Sequence, residues 1–357
     1  MNSFGASTKS VASSASSHPG LIATAAAAVG LAATAAWVEV QARRAERDHP
    51  PEGEFIDIDG VDLHYVERGD GPPVVLLHGN AVTQADFNAS GLMDRLARQH
   101  RVIAFDRPGF GHSTRPRDRL WTPAAQAELL HGALERLSVE QPVLVGHSMG
   151  TLVAMAMALN YPQDVRGLVL LGGYHYPSLR LDALLTAPVA LPVLGDVMRY
   201  TVTALSSRAL LGKMAKGMFS PRDVPANFFP EVSREMMLRP VQLRANAEDA
   251  AFMIPAAKSL SSRYHELTLP ITLIAGEEDL VVSPDGQTVR LHEELPYSEL
   301  HSIPGTGHMA HYVAQELIVQ AVDKPVQTVA QAVSLGSHTS MTRDDLSMAA
   351  QPDFGRR

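Results

Sequence analysis

The chain contains no cysteine. That absence removes disulfide scaffolds, thiolate metal sites and cysteine nucleophiles, and leaves the redox compartment open. Any basic stretch is missing too: 30 Lys and Arg stand against 38 Asp and Glu, a formal net charge of −8, which argues against a nucleic-acid partner. No segment repeats at a period of 20–50 residues, so solenoids and propellers are excluded. From about Tyr174 to Leu267 no run suited to a β-strand occurs. What is there is a globular composition, 45% hydrophobic and 19% charged, in 357 residues. That length suits one large domain with an insertion or tails.

One stretch organises the rest. Val143, Leu144 and Val145 form a short apolar run, read as a buried strand, and residues 151–160 read as a helix. Between them stands Gly146-His147-Ser148-Met149-Gly150. A serine at a strand-to-helix turn with glycine two positions before and after is a nucleophile elbow. The turn is too tight for side chains at the glycine positions. It holds the hydroxyl clear of the sheet at a helix N-terminus, where backbone N–H groups face developing negative charge.

The N-terminal residues 1–19 are rich in Ser, Ala and Gly and are expected to be disordered. Residues 20–38 carry no charge and are long enough to span a bilayer, but nine of these nineteen are alanine. The five strongly apolar residues Leu21, Ile22, Val29, Leu31 and Val38 contribute only about −1.5 to −3 kcal/mol to insertion. Trp37 followed by Arg43, Arg44 and Arg47 reads as an interface belt and basic flank, which favours a retained anchor with the catalytic domain on the cytoplasmic side. Two rivals stay open: a secretory signal cleaved near Ala33-Thr34-Ala35, giving a secreted or periplasmic protein, and a soluble alanine-rich helix.

Residues 39–52, ending in His49-Pro50-Pro51-Glu52, read as a linker. Beyond them Phe55–Ile58 and Val61–Val66 flank Asp59-Gly60, a hairpin signal. Apolar strands follow at Pro73–Leu77, Val102–Phe105, Val143–Val145, Val165–Leu171 and Pro270–Ala275, and a last one near Ser298–Ile303. Helical patterns separate them: one running through Leu92, Leu96 and Ala97, one opened by Thr122-Pro123, one near Gln287–Glu294, and one from His308 to Val322. Alternating βα units predict a mostly parallel sheet with helices on both faces. The ninety-odd residues that interrupt the rhythm are too many for a loop and read as a helical insertion. The expected division is a core of 53–173 and 268–323, an insertion of 174–267, and a flexible tail over 324–357.

A serine hydroxyl needs a base, usually a histidine held in one tautomer by a carboxylate. Gly276-Glu277-Glu278-Asp279 follows one strand, and Gly305-Thr306-Gly307-His308 follows the next. The order Ser148, Asp279, His308 is one of the known chain orders for such a triad. Rivals are Glu277 and Glu278 for the acid and His311 for the base; His78, His112 and His147 read as structural.

With these motifs in hand, the sequence resembles the α/β-hydrolase superfamily over about residues 53–323. The matching motifs are HGN at 78–80, DRPGFGHS at 106–113, GHSMG at 146–150, GEED at 276–279 and GTGH at 305–308. The resemblance implies an eight-stranded sheet with an inserted helical cap over an acyl pocket, with Ser148 as nucleophile, Asp279 as acid and His308 as base. It also implies an oxyanion hole of the backbone N–H groups of Asn80 and Met149, with the Asn80 side chain as a lesser candidate. No cofactor and no metal is expected. The expected substrate is a small hydrophobic or lipid-like carboxylic ester, cleaved through an acyl-enzyme; C–C bond or amide hydrolysis is the alternative within the fold. Aspartate nucleophile chemistry is set aside, because Ser148 occupies that position. A non-catalytic binder of hydrophobic ligands is the alternative of another class. Possible membrane association rests on residues 20–38, and acyl specificity and oligomeric state stay open.

Overall fold

The structure, a computed structural model, describes residues 19–178 and 181–325. The expectations of a disordered head at 1–19 and a flexible tail at 324–357 fall almost wholly outside those residues.

Eight strands form one sheet: β1 (Glu54–Ile58), β2 (Val61–Arg68), β3 (Pro73–Leu77), β4 (Arg101–Phe105), β5 (Val143–His147), β6 (Gly167–Leu171), β7 (Ile271–Gly276) and β8 (Glu299–Ile303). Their order is β1-β2-β4-β3-β5-β6-β7-β8. β1 and β2 make a hairpin closed by Asp59 and Gly60 at φ 51° and 79°, the two-residue turn whose twist suits antiparallel strands. β2 also runs antiparallel to β4, and every later pair is parallel. Parallel strands need crossovers, and here helices supply them on both faces.

The strand sequences explain why both faces are covered. In β5, Leu144 packs into one core with Val75, Leu77 and Leu168, under the helices Pro123–Arg136 and Met149–Asn160. Its neighbours Val143 and Val145 point to the other face, with Val74, Leu76 and Val169. Apolar residues at every position, alternating between two cores, give a strand buried on both sides. The helix Pro123–Arg136 begins where Thr122 Oγ1 accepts the Ala125 N–H at 3.2 Å and proline occupies the first turn.

Several boundaries depart from the sequence reading. The helix expected through Leu92, Leu96 and Ala97 is two short helices, Ala85–Ala89 and Leu92–Leu96, parted at Gly91 with φ 72°. The segment opening at His308 begins as the turn Ala310–Tyr312, and its regular helix occupies 315–325. A larger correction concerns the linker at 39–52. Pro19–Asp48 is one continuous helix. Residues 39–48 contain no proline or glycine, Glu39 and Arg43 pair one turn apart, and Arg44 pairs with Asp48. The helix stops just before Pro50-Pro51, as proline requires. Val38 and Ala45 are buried in this helix, and Val38 lies in a small cluster with Ala204, Leu243 and Tyr200.

Between β6 and β7 the described chain is helical, with elements at Leu181–Ala190, Leu194–Arg199, Val202–Phe219, Phe228–Val232, Arg234–Met237 and Pro240–Ser261. Phe219, Phe228, Val232 and Met237 build a separate apolar cluster that also takes in Val82 and Met309, residues of the loops at the C-terminal ends of the strands. The insertion is therefore seated on that edge of the sheet.

Candidate active site

Ser148 follows β5 directly and caps the helix Met149–Asn160 with φ 51° and ψ −116°. A non-glycine residue in such a conformation is strained by about 1–3 kcal/mol. The two glycines of the motif make the turn possible. A Cβ on Gly146 would stand 2.8 Å from the Gly150 carbonyl oxygen, and one on Gly150 only 2.1 Å from the Leu77 carbonyl oxygen. The serine N–H donates to the Leu171 carbonyl at 2.9 Å, which ties the elbow to the end of β6.

At the ends of β7 and β8 the second half of the site assembles. His308 Nδ1 donates to Asp279 Oδ2 at 2.7 Å. Asp279 Oδ1 accepts the N–H groups of Val281 and Val282 at 2.8 and 2.9 Å. With Nδ1 donating, the lone pair lies on Nε2, the tautomer that a base requires. Gly172, next to Leu171, lies between the two halves: a Cβ there would be 3.3 Å from His308 Nδ1 and 3.5 Å from Asp279 Oδ2. His147 gives a second bridge, since its Nε2 lies 3.2 Å from the His308 carbonyl oxygen and the two rings are 4.8 Å apart. Ser148, Asp279 and His308 are 9%, 8% and 3% exposed, so all three are enclosed.

The rival residues fall elsewhere. Glu277 and Glu278 are exposed, and Glu278 Oε2 accepts the Thr306 N–H. His311 is fully buried with Nε2 2.9 Å from Asp86 Oδ2, and Tyr312 donates to Asp86 Oδ1 at 2.7 Å. Asp86, His147 and His311 together bring three ligand-type atoms within 4.8 Å of one another. Both carboxylate oxygens of Asp86 accept hydrogen bonds, from His311 and Tyr312, while Nδ1 of His147 and of His311 have no partner among the described residues. His112 lies against His64 in an edge contact, and its backbone N–H donates to Asp106.

Opposite the serine runs the loop His78-Gly79-Asn80. A Cβ on Gly79 would be 3.1 Å from Ser148 Cβ. The Asn80 side chain is engaged at both ends, accepting from Arg107 Nη2 at 2.9 Å and donating to the Asn246 carbonyl at 3.5 Å. Its backbone N–H donates to no other group among the described residues, and nor does that of Met149. Two amide donors next to the serine are thus available to an oxyanion.

What holds this loop was not read from the sequence. Arg107, within the 106–113 motif, is fully buried. It donates to the carbonyls of His78 at 3.0 Å and Gly79 at 3.1 Å, to Asn80 Oδ1, to Gln126 Oε1 at 3.0 Å and to Asp249 Oδ2 at 2.5 Å. His78 completes the bracket, with Nδ1 donating to Gly79 O at 2.7 Å and Nε2 accepting the Arg107 N–H at 2.9 Å. Burial, reinforced by the Arg107 cation, pushes the His78 imidazole down to about 4, so it serves as a neutral ring. The motif announced a tight turn, but Asp249 lies 142 positions away on the insertion and gave no local signal.

A strained serine on a mostly parallel sheet, with a hydrogen-bonded Asp–His pair on the loops after strands two and three places away, defines the class of α/β hydrolases. The chain belongs to the α/β hydrolase fold family, whose model matches residues 72–315, and is an enzyme of that superfamily. Among its relatives, the 2-hydroxymuconate semialdehyde hydrolase of Pseudomonas sp. (strain CF600) is 28% identical over 276 residues, 74% of this chain and 90% of that protein. The fold is similar to that of a thermophilic esterase from Thermogutta terrifontis (23% identity, TM-score 0.62, covering 77% of this chain and 97% of the esterase). It is also similar to that of a bacterial membrane phospholipase A (20% identity, TM-score 0.59, covering 87% and 98%).

Proposed function

We propose that this chain hydrolyses a carbonyl substrate through an acyl-enzyme on Ser148. The observation that carries the reading is the 2.7 Å contact between His308 and Asp279 beside the serine elbow. In this reading His308 Nε2 takes the Ser148 proton as Oγ attacks the carbonyl carbon, and the N–H groups of Asn80 and Met149 receive the oxyanion. His308 then returns the proton to the leaving group, and water, activated by the same imidazole, releases the acid.

For the bond cleaved, the relatives favour carbon–carbon. 2-Hydroxymuconate semialdehyde contains no ester and no amide, so a hydrolase acting on it must break a C–C bond next to a carbonyl. The leading substrate class is accordingly an unsaturated oxo acid whose leaving carbon departs as a stabilised enol, taking its proton from His308. A second reading, an apolar carboxylic ester, is favoured by the apolar helix that precedes the domain. Both are tested by one panel: a 2-hydroxy-6-oxo-dienoate, followed by loss of its conjugated absorbance, against aryl esters of increasing acyl length. Turnover of the dienoate alone supports the first reading, and turnover of the esters alone the second. Turnover of both classes unchanged in Ser148→Ala overturns the assignment of the nucleophile.

We also propose that residues 20–38 anchor the chain in a membrane, with the catalytic domain on the cytoplasmic side. Ile22, Val29 and Leu31 are exposed on a helix long and apolar enough to cross a bilayer. The arginines that follow the apolar run support this orientation. Retention of the chain in alkaline-washed membranes, with the domain inaccessible to protease outside intact cells, is the expected result.

A further inference from the structure

The insertion is built inside out along one side. In Val202–Phe219 the inward stripe is Ala204, Leu211, Ala215 and Phe219. The outward stripe is just as apolar: Val202 is 61% exposed and Leu210 51%, and Leu205 and Met214 are exposed with them. Spacings of three, four and five residues put these side chains along one side of the helix. The same helix contains no acidic residue, and Lys213 and Lys216 are exposed on it. Just before it, Leu191, Val193, Leu194 and Val197 are exposed around a turn where Val193, 76% exposed, takes φ 66°. A β-branched residue at positive φ is a strained choice for a solvent loop. Acids nearby are already neutralised, Asp196 by Arg117 and Arg199, Glu235 by Arg208. An exposed apolar surface bordered by lysines, with Asp196 and Glu235 paired, has the composition of an interfacial membrane helix.

The helix that precedes the domain locates this surface. The uncharged run 20–38 is nineteen residues, about 28 Å as a helix, close to the thickness of a bilayer's hydrocarbon core. Its last residue, Val38, is the one buried against Ala204, Leu243 and Tyr200 of the insertion. Trp37 stacks on Arg208, and Glu46 pairs with Arg239 at 2.8 Å, so the helix is fastened to the insertion at its charged end. Val202 and Leu205 adjoin Ala204 in the first turn of the same helix, on its exposed side. The outward stripe therefore begins on the turn that the apolar run meets at Val38.

We propose that this side of the insertion, residues 191–214, is a bilayer-contact surface lying on the same leaflet from which residues 20–38 emerge. The proposal rests on the anchor reading given above. Apolar side chains at 194, 205 and 210 enter the interface, and Lys213 and Lys216 meet anionic headgroups. The domain is then held at its anchor and along the insertion, with a fixed orientation to the membrane.

Because the chain has no cysteine, single probes can be placed without background. The full chain, carrying Val29→Cys, Leu194→Cys, Leu205→Cys, Leu210→Cys or Gln163→Cys one at a time, is labelled with bimane. It is reconstituted in phosphatidylethanolamine–phosphatidylglycerol vesicles containing doxyl-labelled lipid. Gln163 is exposed and bonds through its carbonyl to Gln141, at the opposite edge of the sheet. Quenching at 29, 194, 205 and 210 but not at 163 is the expected result. Quenching at 29 alone overturns the contact surface and leaves the anchor standing. Quenching at none of the five overturns both. Quenching at 194, 205 and 210 without 29 overturns the anchor and leaves a peripheral contact surface. Reaction of each variant with a fluorophosphonate probe confirms that the labelled chains are folded.

Discussion

Arg107 Nη1 donates to Asp249 Oδ2 at 2.5 Å, and neither side chain is exposed. One contact thus joins the loop that faces the serine to the helix Pro240–Ser261 of the insertion. Arg115 and Gln126 share the other oxygen of the same carboxylate at 2.9 and 3.2 Å. Removing that charge leaves the buried Arg107 guanidinium uncompensated, while Arg115 keeps Glu248 at 2.7 Å. Asp249→Asn is expected to lose about 3–5 kcal/mol of stability in urea unfolding, the usual cost of breaking a buried pair. Because Arg107 also holds the His78 and Gly79 carbonyls, the loop loosens and kcat falls while KM changes less. An unchanged kcat in a folded Asp249→Asn enzyme would show that the clamp is purely structural.

Ser148 combines chemistry with backbone strain, and two substitutions separate them. Ser148→Ala deletes the hydroxyl but keeps a Cβ at φ 51°; fluorophosphonate labelling and hydrolysis vanish with little change in stability. Ser148→Gly also abolishes activity, but relieves the strain. Against the entropic cost of glycine in the unfolded chain, a net gain on the order of 1 kcal/mol is expected. In a domain of this size that is a rise of about 2 °C in Tm. Equal melting temperatures for the two variants would mean that the elbow stores no strain.

Asp279→Asn tests the tautomer argument. The carboxylate accepts from His308 Nδ1 and from two backbone N–H groups. An amide in its place can accept at only one end, so the imidazole no longer presents a lone pair on Nε2 with the same preference. A loss of about 10⁴-fold in kcat is expected, with the fold retained. Retention of more than a tenth of the activity would move the acid's role to another carboxylate.

Much of this was legible in the sequence, and the reason is locality. The elbow needs only five residues and two flanking periodicities, and Gly146 and Gly150 state their own steric reason. The Asp and His sites each follow a strand and carry glycine or turn residues beside them. The Arg107–Asp249 clamp was hidden because its partners lie far apart in the chain and an arginine in a loop has no distinctive pattern. The linker at 39–52 failed differently: the double proline marked a boundary correctly, but the charged stretch before it is a good helix former whose buried face, Val38 and Ala45, only the insertion reveals. His311 looked like an alternative base until Asp86, itself silent in the sequence, supplied its partner.

The buried histidines set the response to acid. His175 is fully buried, and neither of its ring nitrogens has a hydrogen-bond partner among the described residues. Burial pushes it down to about 3, and burial with the Arg107 cation pushes His78 down to about 4. His147 is displaced in the same direction by burial and by the neighbouring His311 and His308 rings. Each ring takes up a proton near pH 6.5 when the chain unfolds but stays neutral in the fold, so the unfolded state binds more protons. The stability they contribute is fully present above pH 6.5 and is lost as pH falls toward the folded values. By pH 5 His175 and His78 each forfeit about 2 kcal/mol, from roughly 1.4 kcal/mol per pH unit over about one and a half units. His175→Leu removes one of these protons and two unpaired buried nitrogens without touching Ser148, Asp279 or His308. The variant is expected to match or exceed the parent's stability at pH 7.5, and to lose about 2 kcal/mol less than the parent between pH 7.5 and 5 in urea titrations. A parallel pH dependence in the two proteins would show that His175 does not stay neutral across that range.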